Sequence, residues 1–257
     1  GPEPRPPQAF ALSDTLPRFL AAGAATAMGG LALLVLPRPS DYLLDVLLGF
    51  TAGVMLAATA FSLLVPALDE GTLAEVLAGV LVGGFVLLAL DVVVPHVHLR
   101  YFERGHTDVV AGRRAVLLLS ALTIHNVPEG MAVGVAFAAG GPELGIPIAL
   151  AIGIQNVPEG FAAAAPLLAA GTPRREAIGV AALTGAVEPP AALIAFAAVS
   201  VAAVLLPFGL AFAAGAMLYV VVDELIPESH ARGNERAASV ALLFGFALML
   251  GLDNGFG

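Results

Sequence analysis

Apolar positions run along this chain in long unbroken stretches, without the alternation of a strand or the one-sided stripe of a soluble helix. Such stretches fall at 16–36, 43–66, 73–95, 115–138, 145–170, 177–202, 207–228 and 237–254, punctuated by Pro, Gly and charge. Each is about 20 residues long, the length a helix needs to cross a hydrocarbon core of about 30 Å. Barrel strands would alternate polarity over about 10 residues, and none of the stretches does so. The pattern predicts an all-α integral membrane protein with eight transmembrane helices forming a single domain over 16–257. Segment 1–15, rich in proline and polar residues, is predicted to be a disordered or surface arm; its opening Gly1-Pro2 resembles a scar left by protease cleavage of an expressed protein. The connections are short except for 96–114, which holds His96, His98, Arg100, Arg104, His106, Arg113 and Arg114.

Charge gives the helices a direction. All eleven basic residues are arginine, and positive charge in short loops stays on the cytoplasmic side. Arg38, the four arginines of 96–114, the pair Arg174 and Arg175, and the pair Arg232 and Arg236 fall in the first, third, fifth and seventh connections. The other connections have none, so both termini are expected outside the cytoplasm. The outer connections carry Asp69, Glu70, Glu75 and Glu143 without counter-charge, either a cation-concentrating entrance or ordinary solvated helix ends.

Composition narrows the chemistry. Hydrophobic residues make up 59% of the 257 and charged residues 12%, against roughly a quarter charged in soluble domains; the mean hydropathy is +0.93. The absence of cysteine rules out disulfides, thiolate metal sites and a cysteine nucleophile. The absence of lysine rules out a retinal Schiff base, and the arginine-, alanine- and glycine-heavy usage fits a GC-rich bacterial genome. No nucleic-acid partner is indicated; the partners expected are metal ions and the lipid bilayer, with monomer and homodimer both open.

The polar residues that interrupt the apolar runs repeat themselves. Ile124-His125-Asn126-Val127-Pro128-Glu129-Gly130 in the fourth stretch is echoed by Ile154-Gln155-Asn156-Val157-Pro158-Glu159-Gly160 in the fifth. His125 lies ten residues from the cytoplasmic edge drawn at 115, about 15 Å of helix and half the hydrocarbon depth. His125 and Glu129, like Gln155 and Glu159, are four residues apart and share a helical face. Pro128 and Pro158 lack an N–H, so the carbonyls of Ile124 and Ile154 are left open and a kink is expected at each. Glu188, followed by Pro189 and Pro190, sits at similar depth in the sixth stretch. Three acids at one level in a bilayer, each costing at least about 2.5–3.5 kcal/mol when charged, call for protons or a cation, since no arginine lies there. Carboxylates, one imidazole and amides form a mixed oxygen and nitrogen set suited to Zn, Fe, Mn, Co or Cd, whereas all-oxygen ligation would favour Mg or Ca.

At these motifs the chain resembles the ZIP (Zrt/Irt-like protein) metal transporter family, and the Gln-bearing second motif resembles its bacterial GufA-type branch. The resemblance implies inward transport of divalent metal, zinc foremost and also cadmium, iron, manganese and cobalt, across a bacterial inner membrane. It also implies a 3+2+3 inverted-repeat bundle and a binuclear midplane site. Carried over by motif, His125, Glu129, Gln155 and Glu159, with Met55 of the second stretch, make the first metal site. Asn126, Glu129, Asn156, Glu159 and Glu188 make the second, with the two glutamates bridging. Asp69, after Ser62 and Pro66, is the outer-mouth candidate. Asp91 and the Asp223-Glu224-Leu-Ile-Pro-Glu228 run are exit ligands or else solvated or arginine-paired acids. His96, His98 and His106 form either a metal-receiving loop or plain loop histidines.

Two other classes compete. An intramembrane metalloprotease needs His-Glu-x-x-His on one helix, a spacing found nowhere in the chain. A metal sensor or structural metal-binding bundle would share every ligand and differ only in moving no ions.

Overall fold

Local chemistry sets the helix ends in the computed structural model, which describes residues 12–34, 40–93, 109–169 and 171–256. Ser40 accepts a hydrogen bond from the Leu43 N–H at 3.2 Å and opens α2 (Asp41–Glu70), as N-cap serines do. The sequence Thr72-x-x-Glu75 opens α3 (Leu73–Val93) as a capping box: the Glu75 carboxylate accepts from the Thr72 N–H at 2.8 Å, and Thr72 Oγ1 accepts from the Glu75 N–H at 3.3 Å. Glu75 is therefore a helix cap. Between α4 (109–139) and α5 (142–169) the chain reverses at Gly140 and Gly141. Gly141 has φ 58° and ψ −142°, a conformation open in practice only to glycine. The remaining helices are α1 (Leu12–Ala32), α6 (Arg174–Val201), α7 (Ala203–Ser229) and α8 (Glu235–Phe256).

The described residues contain no strand. Six apolar segments are long enough to cross a bilayer: α2, α3, the α4–α5 hairpin taken as one, α6, α7 and α8. Helix α1 begins at Leu12, ahead of the boundary drawn at 16, and Thr15 in its first turn is buried. Arg113 and Arg114, placed by the sequence in a loop, belong to α4. His96, His98 and His106 lie outside the described residues.

Prolines leave different marks on different helices. The backbone of α4 and α5 keeps helical dihedrals through Pro128 and Pro158, and its only non-helical residues are Gly140 and Gly141. The interruptions occur elsewhere. Helix α2 widens into π-helical turns over Ala58–Leu64, just before Pro66, and α7 does the same over Val221–Leu225, just before Pro227. A proline removes one N–H from the ladder, and shifting the preceding turn to a π-bulge is one way for the helix to absorb that loss. Helix α6 breaks at Ala186–Val187, so that Glu188, Pro189 and Pro190 begin a new helical segment, where a missing N–H costs nothing.

The helices pack in a regular scheme: α2 on α8, α3 on α7, and α1 on the α4–α5 hairpin and on α6. Small residues bring backbones together, the usual device where lipid gives no hydrophobic drive. Gly49 and Gly53 of α2 face the backbone of Ala238 and Leu242 on α8.

One ionic cluster ties the start of α2 to the connection between α7 and α8. Asp45, fully buried, accepts from Arg232 at 2.8 Å and from the Asn234 amide at 2.9 Å, and Arg232 also pairs with Glu228. Burial works against the guanidinium charge, but Asp45 and Glu228 outweigh it and hold the Arg232 pKa above its ordinary value. Glu228 is thus arginine-paired, one of the two readings the sequence left open. Replacing Arg232 by Met strands Asp45 as a buried unpaired charge, a change that typically costs about 3–5 kcal/mol. The expected result is a clear fall in melting temperature in detergent, largely restored by adding Asp45→Asn.

Candidate metal site

The two motifs meet because the chain folds back between them. Gln155 Nε2 donates to Glu129 Oε1 at 2.7 Å, although the residues are 26 apart and a straight helix would separate them by about 39 Å. Glu188 joins from the break in α6: Asn156 Nδ2 donates to both its carboxylate oxygens, at 2.8 and 2.9 Å. His125 Nδ1 stands 2.8 Å from Glu224 Oε2 of α7, which links the α4 motif to the π-helical turns of that helix. Glu159 and Glu188 lie within electrostatic reach of Glu129, and Glu159 within reach of His125. His125, Asn126, Glu129, Gln155, Asn156, Glu159 and Glu188 are all buried.

The motif glycines explain how so many polar groups reach one place. A Cβ on Gly130 would sit 2.3 Å from the Glu188 carbonyl oxygen, and one on Gly160 would sit 1.9 Å from that of Thr26. Each motif therefore packs its glycine directly on another helix backbone, α6 for the first and α1 for the second. This contact fixes the preceding glutamate at the junction.

Among the described residues, no three His, Asp or Glu side chains gather as a ready-made metal cluster. Amides instead engage Glu129 and Glu188, and His125 engages Glu224. What stays unpartnered is informative: His125 Nε2, Glu129 Oε2, Gln155 Oε1 and Glu159 Oε1 are buried without a hydrogen bond. A buried polar atom left unpaired costs about 1–3 kcal/mol, and these four are electron-pair donors of the types that bind transition metals. The donor set fits a divalent cation. Asn156 Oδ1 is also unpartnered, as is Asn126 Nδ2, which is a hydrogen-bond donor rather than a ligand atom.

The other expected residues are spread along the molecule. Met55 is fully buried on α2, in the core cluster that holds Ala132 and Val133 of α4. Ser62, in the π-helical turns of α2, donates to Asp253 of α8 at 2.6 Å. Asp69 is exposed at the end of α2, and Asp223 lines a groove between α3 and α7 with Gly84, Gly215 and Tyr219. Asp91 is in the last turn of α3. Sequence reasoning missed Thr26, Asp45, Asn234 and Asp253. An acid inside an apolar run was the available signal for Asp45, because such a residue needs a named partner; Thr26 and Asn234 carried none.

Apolar helices of span length define a multi-pass membrane protein, and a buried constellation of acids, imidazole and amides lies inside it. Residues 103–253 match the profile of the family described as ZIP Zinc transporter. The chain is 45% identical over 247 residues to the zinc transporter GufA of Myxococcus xanthus, covering 93% of this chain and 97% of that one. It is also 45% identical over 252 residues to the zinc transporter ZIPB of Bordetella bronchiseptica, covering 91% and 78%, and 34% identical over 248 residues to a zinc transporter ZupT of Corynebacterium aurimucosum, covering 90% and 92%. The chain belongs to the ZIP family, in its GufA-type branch, and is a transporter rather than an enzyme.

Proposed function

We propose that this chain carries divalent transition-metal ions, zinc first among them, across the bacterial inner membrane into the cytoplasm. The ion passes through the junction of the two motifs. The observation that carries this reading is the set of four unpartnered donor atoms on His125, Glu129, Gln155 and Glu159, buried between facing helices. The zinc-transporter names of the relatives support zinc; the mixed nitrogen and oxygen donors extend the range to cadmium, iron, manganese and cobalt and disfavour magnesium. Met55 completes the set from α2. Asn126, Asn156 and Glu188 form the adjoining set, which a second ion enters only by displacing the Asn156 amide from Glu188.

The topology proposed is eight crossings in a 3+2+3 arrangement with both termini outside. The scheme of contacts supports it, since α2 with α8 and α7 with α3 are the same pairing when α1–α3 are exchanged for α6–α8. The π-helical turns before Pro66 and Pro227 fall on the exchanged helices α2 and α7. Such repeats around a midplane site, with the outer helices moving against the inner group, suit alternating access. Ser62, Asp69 and Asp253 would line the outer mouth, and Glu224, Asp223 and Asp91 would take the ion on from His125 toward the cytoplasm.

Metal uptake into proteoliposomes tests the reading. Zinc and cadmium should enter, magnesium should not, and His125→Ala should reduce zinc entry to the level of empty vesicles. Binding without flux under gradients of either direction would instead make the protein a sensor or a structural metal binder.

A further inference from the structure

The surroundings of Glu188 differ from those of the other two buried acids. Glu129 Oε2 and Glu159 Oε1 are unpartnered, whereas both oxygens of Glu188 accept hydrogen bonds: Oε1 from Asn156 and Thr26, and Oε2 from Asn156. The same Asn156 nitrogen lies 3.1 Å from the backbone carbonyl of Ala22 on α1. A backbone carbonyl can only accept, so this contact fixes which way the amide faces. Turning it over would press Oδ1 against the Ala22 oxygen and the Glu188 carboxylate together. Thr26 is also pinned, because the Gly160 backbone of α5 packs on its carbonyl and a Cβ on Gly185 of α6 would meet its side chain at 2.7 Å.

Charge alone does not choose the count: three carboxylates with one divalent ion leave a net charge of −1, and with two ions +1. The hydrogen bonds do choose, because Asn156 and Thr26 between them occupy both oxygens of Glu188.

We propose that Asn156 and Thr26 hold Glu188 as a hydrogen-bond acceptor, so that this chain binds one ion tightly, at the His125, Glu129, Gln155 and Glu159 set, and none at Glu188. The inference deepens the proposed transport reading and rests on its assignment of the first set. Asn156 is then a polar bolt joining α5 to α1 and α6, and not a ligand.

Equilibrium dialysis of the purified chain in detergent against zinc and against cadmium, followed by a metal count per chain, tests it. The expected counts are one ion for the parent, one for Glu188→Gln and two for Asn156→Asp, whose added carboxylate removes the donor and supplies the missing charge. Two ions in the parent with one lost in Glu188→Gln would overturn the proposal, as would a count that stays at one in folded Asn156→Asp. If the aspartate variant fails to fold, the Glu188→Gln count decides: one ion upholds the proposal, and loss of the tight ion overturns it. The counts do not depend on flux. A parent that binds one ion with this pattern but moves none in vesicles would refute transport and leave the proposal standing.

Discussion

Glu129→Gln, and separately Glu159→Gln, should bring zinc uptake to background while the protein still folds and inserts. Both side chains are buried, and glutamine matches glutamate in shape, so packing is preserved and charge alone is removed. In Glu129 one oxygen already accepts from Gln155 and the other is unpartnered; the substitution replaces an anionic ligand by a neutral amide. A hydrogen bond to a charged group is worth about 1.5–3 kcal/mol, roughly 10- to 100-fold in affinity, and direct ligation of a divalent ion should exceed that. Initial rates of zinc entry, normalised to reconstituted protein, are the readout. An uptake rate equal to that of the parent in either variant would remove that glutamate from the site.

The second large effect concerns folding. Gly160→Ala places a Cβ 1.9 Å from the Thr26 carbonyl oxygen and 2.8 Å from its carbon, both backbone atoms that no rotamer change can move aside. Overpacking in cores typically costs about 1–3 kcal/mol, and forcing α1 off α5 should lie at the upper end or beyond. The expected outcome is a marked fall in melting temperature and aggregation on size-exclusion chromatography. Gly179→Ala is the matched control, because nothing lies within 4 Å of its added carbon and alanine is the better helix former by about 0.5–1 kcal/mol. A Gly160→Ala protein as stable as the Gly179→Ala control would mean that the α1–α5 contact is looser than described.

The helices and the site were legible in the sequence to different degrees, for physical reasons. Helix positions follow from local composition: the stretch drawn at 73–95 became Leu73–Val93, and that at 237–254 became Glu235–Phe256. The repeated motif marked the site because polar residues inside apolar helices are conspicuous, and the four-residue spacing put His125 with Glu129 and Gln155 with Glu159 on shared faces. How those faces are satisfied was not legible. Thr26 reaches Glu188 across 162 residues, Ser62 reaches Asp253 across 191, and Arg232 reaches Asp45 across 187, and no local pattern encodes such pairings. A missing N–H was expected to kink α4 and α5; both helices keep helical dihedrals through Pro128 and Pro158, while π-helical turns precede Pro66 in α2 and Pro227 in α7. The motif glycine carried no reading from the sequence and is the point where a second backbone approaches.

Anomalous diffraction at the zinc edge from crystals grown with zinc tests most directly whether the unpartnered atoms are where the ion binds. The expected result is one strong peak within bonding distance, about 2.0–2.2 Å, of His125 Nε2, Glu129 Oε2, Gln155 Oε1 and Glu159 Oε1, with Glu188 still held by Asn156. A peak elsewhere, with those four atoms left uncoordinated, would contradict it.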